Sequence, residues 1–195
     1  MTAQAPLAEQ RDLFEIPTEI CYLNCAYISP LLRSTAQAGK VGMERKLRPW
    51  EIRPPDFFST TRQIRSTAAS LLGSTANDIA IVPSASYGLA AAARNLPVRE
   101  GQKILVLAEQ YPSNYYVWEA LARNSGATLQ SVARPADGDW TRKVLESLDS
   151  QTAIAALPQC HWSDGTLVDL VQVRQRLDET GGALVVDLTQ SLGAM

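Results

Sequence analysis

From residue 79 onward, short and nearly unbroken apolar runs alternate with helical stretches, and this constrains the fold more than any other feature of the chain. The runs occupy residues 79–82, 103–108, 128–133, 153–157 and 183–186. Between them lie stretches of helical character at 88–95, 113–124, 139–148 and 167–180. In the last of these, Leu170, Val173 and Leu177 fall on one helix face, and Gly181-Gly182 supplies the stop. A strand that is apolar throughout is buried on both sides, and a helix between two such strands is the crossover that joins parallel neighbours. The predicted class is α/β: a mostly parallel sheet with flanking helices.

The first 78 residues read differently. Residues 1–30 are irregular apart from one short extended piece at 20–23. Pro30 opens a helical stretch over 31–47, which Pro49 ends. After the bend Arg53-Pro54-Pro55, Asp56 is the expected cap of a helix over 57–72, and Gly73 its stop.

Composition closes off several classes of function. Eighteen basic side chains face twenty acidic ones, for a net charge of −2. A polyanion-binding protein shows a basic excess, so nucleic acid is not an expected partner. No apolar run reaches the roughly 18 residues a bilayer span needs, so no membrane partner is expected either. The first sixteen residues lack the basic start and apolar core of a secretory signal. Three cysteines, Cys21, Cys25 and Cys160, are too few and odd in number for a disulfide framework, which favours a cytoplasmic location. Joined by His161 they would make a zinc set, but Cys-x-x-x-Cys is a weak metal signal, and three ordinary thiols are the plainer reading.

In parallel α/β sheets, ligands bind beyond the carboxyl ends of the strands. After 79–82 comes Pro83-Ser84-Ala85-Ser86-Tyr87-Gly88, small and hydroxylated, opening a helix. Free N–H groups and the helix dipole suit a phosphate there, or a serine simply caps the helix. After 103–108 comes Tyr111, which either stacks on a flat ligand or packs within its loop. After 153–157 comes Gln159-Cys160-His161-Trp162-Ser163-Asp164-Gly165, dense in hydrogen-bonding groups. A Cys160–His161 catalytic pair is disfavoured, because neighbours in extended chain point to opposite sides. The last run ends on Asp187, an acid that is solvated at the loop or meets a ligand.

Taken together and in order, YLNCAYISPL, VPSASYGL, EQYPSNYYVW, LPQCHWSDGTLVDL and VVDLTQSLGA resemble the class V aminotransferases. These are pyridoxal-phosphate enzymes of fold type I, a family that also holds cysteine desulfurases and kynureninase-like enzymes. The matching stretches span residues 22–194. The resemblance implies pyridoxal 5'-phosphate as cofactor and chemistry on an amino acid. It implies that Ala85 and Ser86 hold the cofactor phosphate and that Tyr111 stacks on its ring. Asp187 would face the pyridine nitrogen, and Gln190 would lie near the phenolic oxygen, with His161 and Ser163 in the loop approaching the same atom. Asn24 would line the substrate side. It further implies an N-terminal arm over 1–30, a partial cofactor-binding large domain over 31–195, no C-terminal small domain, and a homodimer.

The departure from the family concerns its catalytic lysine, which lies downstream of the Asp-x-x-Gln motif. All four lysines here, Lys40, Lys46, Lys103 and Lys143, precede Asp187. The expectation is therefore an N-terminal fragment, inactive alone, whose sheet has a flank that another segment or chain covers. The alternatives are a non-catalytic module of the same fold that binds cofactor or a partner, and an unrelated α/β nucleotide-binding domain. The latter lacks the expected glycine fingerprint.

Overall fold

The computed structural model describes residues 8–25 and 27–194. Residues 1–7 of the expected arm, Ala26 in its motif, and Met195 lie outside the described residues. The chain divides into two compact units, residues 1–80 and 81–195.

In the first unit a 3-10 turn, Arg11–Leu13, precedes helix α1 (Arg33–Glu44), two further 3-10 turns (Arg45–Leu47, Pro49–Glu51) and helix α2 (Asp56–Leu72). The expected helix over 31–47 is therefore α1 plus its 3-10 extension. Asp56 is a correction. Pro55 already has helical angles (φ −60°, ψ −28°), so α2 starts at Asp56 itself. Its carboxylate instead closes the preceding bend, accepting the Arg53 N–H at 2.9 Å. Among the described residues of this unit only Ala69 is a buried apolar residue.

Residues 79–82 do not form the expected strand. No ladder partner lies beside them among the described residues, and an unpaired strand has nowhere to place its backbone hydrogen bonds. Ile81 and Val82 are correspondingly exposed.

The second unit begins with α3 (Ala85–Asn95) and continues β1 (Lys103–Leu107), α4 (Tyr116–Ser125), β2 (Thr128–Val132), α5 (Trp140–Ser147), β3 (Thr152–Pro158), α6 (Leu170–Thr180) and β4 (Ala183–Asp187). All pairings are parallel, in the order β2-β1-β3-β4. The alternation predicted from residue 103 onward is thus present, with small shifts of boundary. α6 starts at Leu170 rather than 167, because Leu167 bridges to Cys160 and the Asp169 carboxylate caps the N–H groups of Val171 and Gln172.

Side-chain alternation along β1 and β3 builds two cores. Ile104, Val106, Ile154 and Ala156 face Leu89 and Ala93 of α3 and Trp118 and Ala122 of α4. Leu105, Leu107, Ala155 and Leu157 face Trp140 and Val144 of α5 and Val173 and Leu177 of α6. A fully buried side chain of this kind contributes roughly 1.5–3 kcal/mol, so the central strands anchor the unit from both faces. Parallel pairing brings every strand's carboxyl end to one edge, where the loops of interest gather. Among the described residues no helix is long and apolar enough to cross a membrane.

Candidate functional site

A cleft of about 620 Å³ opens at that edge, between the start of α3 and the end of β4. Ala85, Gly88 and Leu89 form one wall. Val185, Val186 and Asp187 with Leu188, Thr189 and Leu192 form the other. Ser84 sets the first wall. It is extended (φ −163°, ψ 161°), and its hydroxyl accepts the Tyr87 N–H at 3.1 Å. The N–H groups of Ala85 and Ser86 then have no acceptor among the described residues. They sit at the positive end of the α3 dipole, an arrangement that suits an anion. Ala85 lines the cleft, whereas Ser86, the next residue of the helix, is not among the lining residues.

Asp187 ends β4 with its carboxylate half-buried. Oδ1 accepts both the N–H (3.0 Å) and the hydroxyl (2.5 Å) of Thr189. Oδ2 has no partner among the described residues. The carboxylate is thus fixed through one oxygen and left one strong acceptor. Thr189 escaped the sequence reading, although Asp-x-Thr is the pattern for such a local turn. Gln190 lies half-buried on the same turn, and its side chain makes no hydrogen bond among the described residues.

Tyr111 leaves the end of β1 half-exposed, its ring edge-on to Trp162 with centroids 5.5 Å apart. Trp162 is fixed in turn, its indole N–H donating to the Glu109 carbonyl at 2.7 Å. His161 and Ser163 were expected in the loop that approaches the phenolic oxygen. His161 is fully buried and stacked on Trp140 at 5.2 Å. Its Nε2 bonds the Ala108 carbonyl at 3.1 Å, and its Nδ1 pairs with the Ser163 hydroxyl at 3.0 Å. With a carbonyl acceptor at Nε2, the proton sits there, and Nδ1 accepts from Ser163. Both ring nitrogens are hydrogen-bonded within the protein, and the two residues fasten the loop after β3 to the end of β1.

A residue missed altogether is Arg134, just beyond β2. Its guanidinium binds the Glu109 carboxylate, the Ser163 hydroxyl and the Asp164 carboxylate, and lies 5.5 Å from the Trp140 ring centroid. Sequence reading passed over the residues following β2, although they occupy the same edge as the other strand ends.

The two lysines of the second unit, Lys103 and Lys143, do not enter the cleft's lining. Lys103, at the opposite end of β1, donates to the Ser147 carbonyl (2.7 Å) and to Asp149 (2.8 Å). That ammonium hydrogen bond holds the Asp149 carboxyl below the ordinary aspartate range. Lys143 pairs with Glu146 on α5. Lys40 lies on α1 and Lys46 on the turn after it, both in the first unit, as is Asn24. Asn24 is exposed, and its carbonyl accepts the N–H groups of Tyr27 and Ile28.

Comparison with known proteins supplies the lineage. The profile of the family described as Aminotransferase class-V matches residues 55–195. The chain belongs to the class V aminotransferase family. Pyridoxal 5'-phosphate is the cofactor that this relationship indicates. Kynureninase of Burkholderia mallei (strain SAVP1) is 24% identical over 203 residues, covering 97% of this chain and 47% of the relative. The uncharacterized aminotransferase YcbU of Bacillus subtilis (strain 168) is 26% identical over 139 residues, covering 71% of this chain and 36% of the relative. This class V chain thus spans about half the length of the kynureninases it matches. Among solved structures, a C-DES mutant with glycine covalently linked to its PLP cofactor superposes with a TM-score of 0.82 at 20% identity. That match covers 96% of this chain and 51% of the other. Apo cysteine desulfurase from Thermococcus onnurineus NA1 gives 0.80 at 17% identity, covering 98% and 50%. These likenesses give the fold, that of the fold type I pyridoxal-phosphate enzymes.

Proposed function

We propose that this chain forms the cofactor-binding part of a class V pyridoxal-phosphate enzyme acting on an amino acid. The carrying observation is that a helix N-terminus with free N–H donors and a carboxylate with a free oxygen border one cleft. Those are the two ends the cofactor needs, one for its phosphate and one for its ring nitrogen. The residues present therefore fit the group. Bound pyridoxal phosphate supplies an electron-accepting ring for reactions at an amino acid's α- or β-carbon.

The chain's own residues have distinct tasks in this reading. Ala85 and Ser86 bind the phosphate through backbone N–H groups. Asp187 Oδ2 holds the proton on the ring nitrogen by a charge-assisted hydrogen bond, while Thr189 fixes the carboxylate. Tyr111 offers its half-exposed ring as a stacking surface, and Gln190 stands ready beside Asp187 on the same turn. Neither lysine of the second unit lines the cleft, and in this reading the chain by itself binds without turnover. The complete enzyme is a homodimer in this reading. A cytoplasmic setting accords with three unpaired cysteines.

The test uses pyridoxamine 5'-phosphate, which has no aldehyde to react with surface lysines. Calorimetric titration of residues 1–195 is expected to show one site, and Asp187→Ala to weaken it by about tenfold, the worth of one charge-assisted hydrogen bond. Equal affinity in the two proteins, or no binding to the wild type, overturns the reading.

A further inference from the structure

Glu109 is the sole non-glycine residue with positive φ among the described residues, at +56°. It is the second residue beyond β1, and it turns the chain so that Gln110 runs inward and Tyr111 outward. The left-handed region is unfavourable for a side chain like glutamate and persists only where its surroundings hold it. Two groups do so here. Arg134 grips the carboxylate through Nε at 3.2 Å and Nη2 at 2.5 Å. Trp162 donates its indole N–H to the carbonyl. The same guanidinium also holds Ser163 and Asp164, the residues that follow Trp162. One planar, five-donor group thus spans the loops after β1, β2 and β3, and the exposed Tyr111–Trp162 pair rests on the backbone it fixes.

We propose that Arg134 is a positioning residue. It holds Glu109 in the left-handed conformation and so sets the Tyr111 ring against Trp162, at the angle from which Tyr111 stacks on the cofactor ring. The stacking role rests on the reading given under Proposed function; the positioning does not. Lysine at this place carries the charge but lacks the fork that reaches three acceptors at once.

The experiment compares wild-type chain, Arg134→Met, and the double variant Arg134→Met with Glu109→Gly. Glycine adopts positive φ without help and removes the carboxylate that would otherwise lose its partner. The first readout is the near-ultraviolet circular dichroism of Trp162, isolated by difference against Trp162→Phe. It requires no ligand. The second is affinity for pyridoxamine 5'-phosphate. In Arg134→Met the Trp162 signal is expected to collapse and affinity to fall about tenfold, the scale of one lost aromatic contact. In the double variant the signal returns and affinity recovers to within about threefold of wild type. A Trp162 signal unchanged in Arg134→Met overturns the proposal. So does a folded double variant that stays like Arg134→Met, which would make Arg134 a tether for Ser163 and Asp164 alone. If wild type binds no pyridoxamine phosphate, the cofactor reading fails, and the dichroism still decides the positioning. Should Arg134→Met fail to fold, Arg134→Lys takes its place in both comparisons, with the same outcomes expected.

Discussion

Replacing His161 with alanine would remove a fully buried ring that stacks on Trp140, take away the donor to the Ala108 carbonyl, and leave the Ser163 hydroxyl with its Arg134 partner alone. The cavity and the broken hydrogen bonds together are expected to cost about 3 kcal/mol, read as a shift of the urea unfolding curve. A loss under about 1 kcal/mol would mean that the loop after β3 does not depend on this ring. The residue also shows what one-dimensional reading reaches. That Ala85 and Asp187 share one edge was legible, because a parallel α/β pattern assigns strand ends and helix starts to one edge whatever the side-chain details. The facing of His161 was not, because Trp140, distant in sequence, decides it. Arg134 was hidden for a related reason. Its partners Glu109, Ser163 and Asp164 sit in two other loops, and only the folded sheet brings the three loops together.

Among the elements, the junction of α6 and β4 holds the most tightly enclosed glycine. A Cβ on Gly182 would lie 2.6 Å from Leu177 Cδ2 and 2.7 Å from the Thr152 carbonyl oxygen. The carbonyl belongs to the β3 backbone and has little room to retreat. Gly182→Ala is therefore expected to destabilise the chain by about 2–3 kcal/mol. Gly181→Ala, strained by φ +79° but open in space, is expected to cost about 1 kcal/mol. Chemical denaturation of both variants checks the order, and equal losses would refute the steric account. Elements were legible where a core imposed a period, as in β1, β3 and α6. The one expected strand that is missing fell where none did. Residues 79–82 have strand composition, but composition cannot provide a neighbour. At Asp56 the rigid Pro54-Pro55 pair, rather than the acid, decides where α2 begins.

Across the whole chain, burial is uneven. Residues 8–25 and 27–80 bury one apolar side chain, Ala69, whereas residues 81–194 hold two clusters built on opposite faces of the sheet. Amide exchange is expected to be slowest in β1 and β3 and fastest in α1 and α2, with proteases cutting first before residue 81. Uniform protection along the chain would contradict this. The sheet order has a further consequence for how the molecule comes into being. Of the four strands described, β1 is the first to leave the ribosome, and it ends up in the interior of the sheet. β2 then docks on one side of it, β3 on the other, and β4 beyond β3. Each newcomer meets an edge that is already waiting, so the nascent chain can grow its sheet outward without ever prising apart two strands that have already joined.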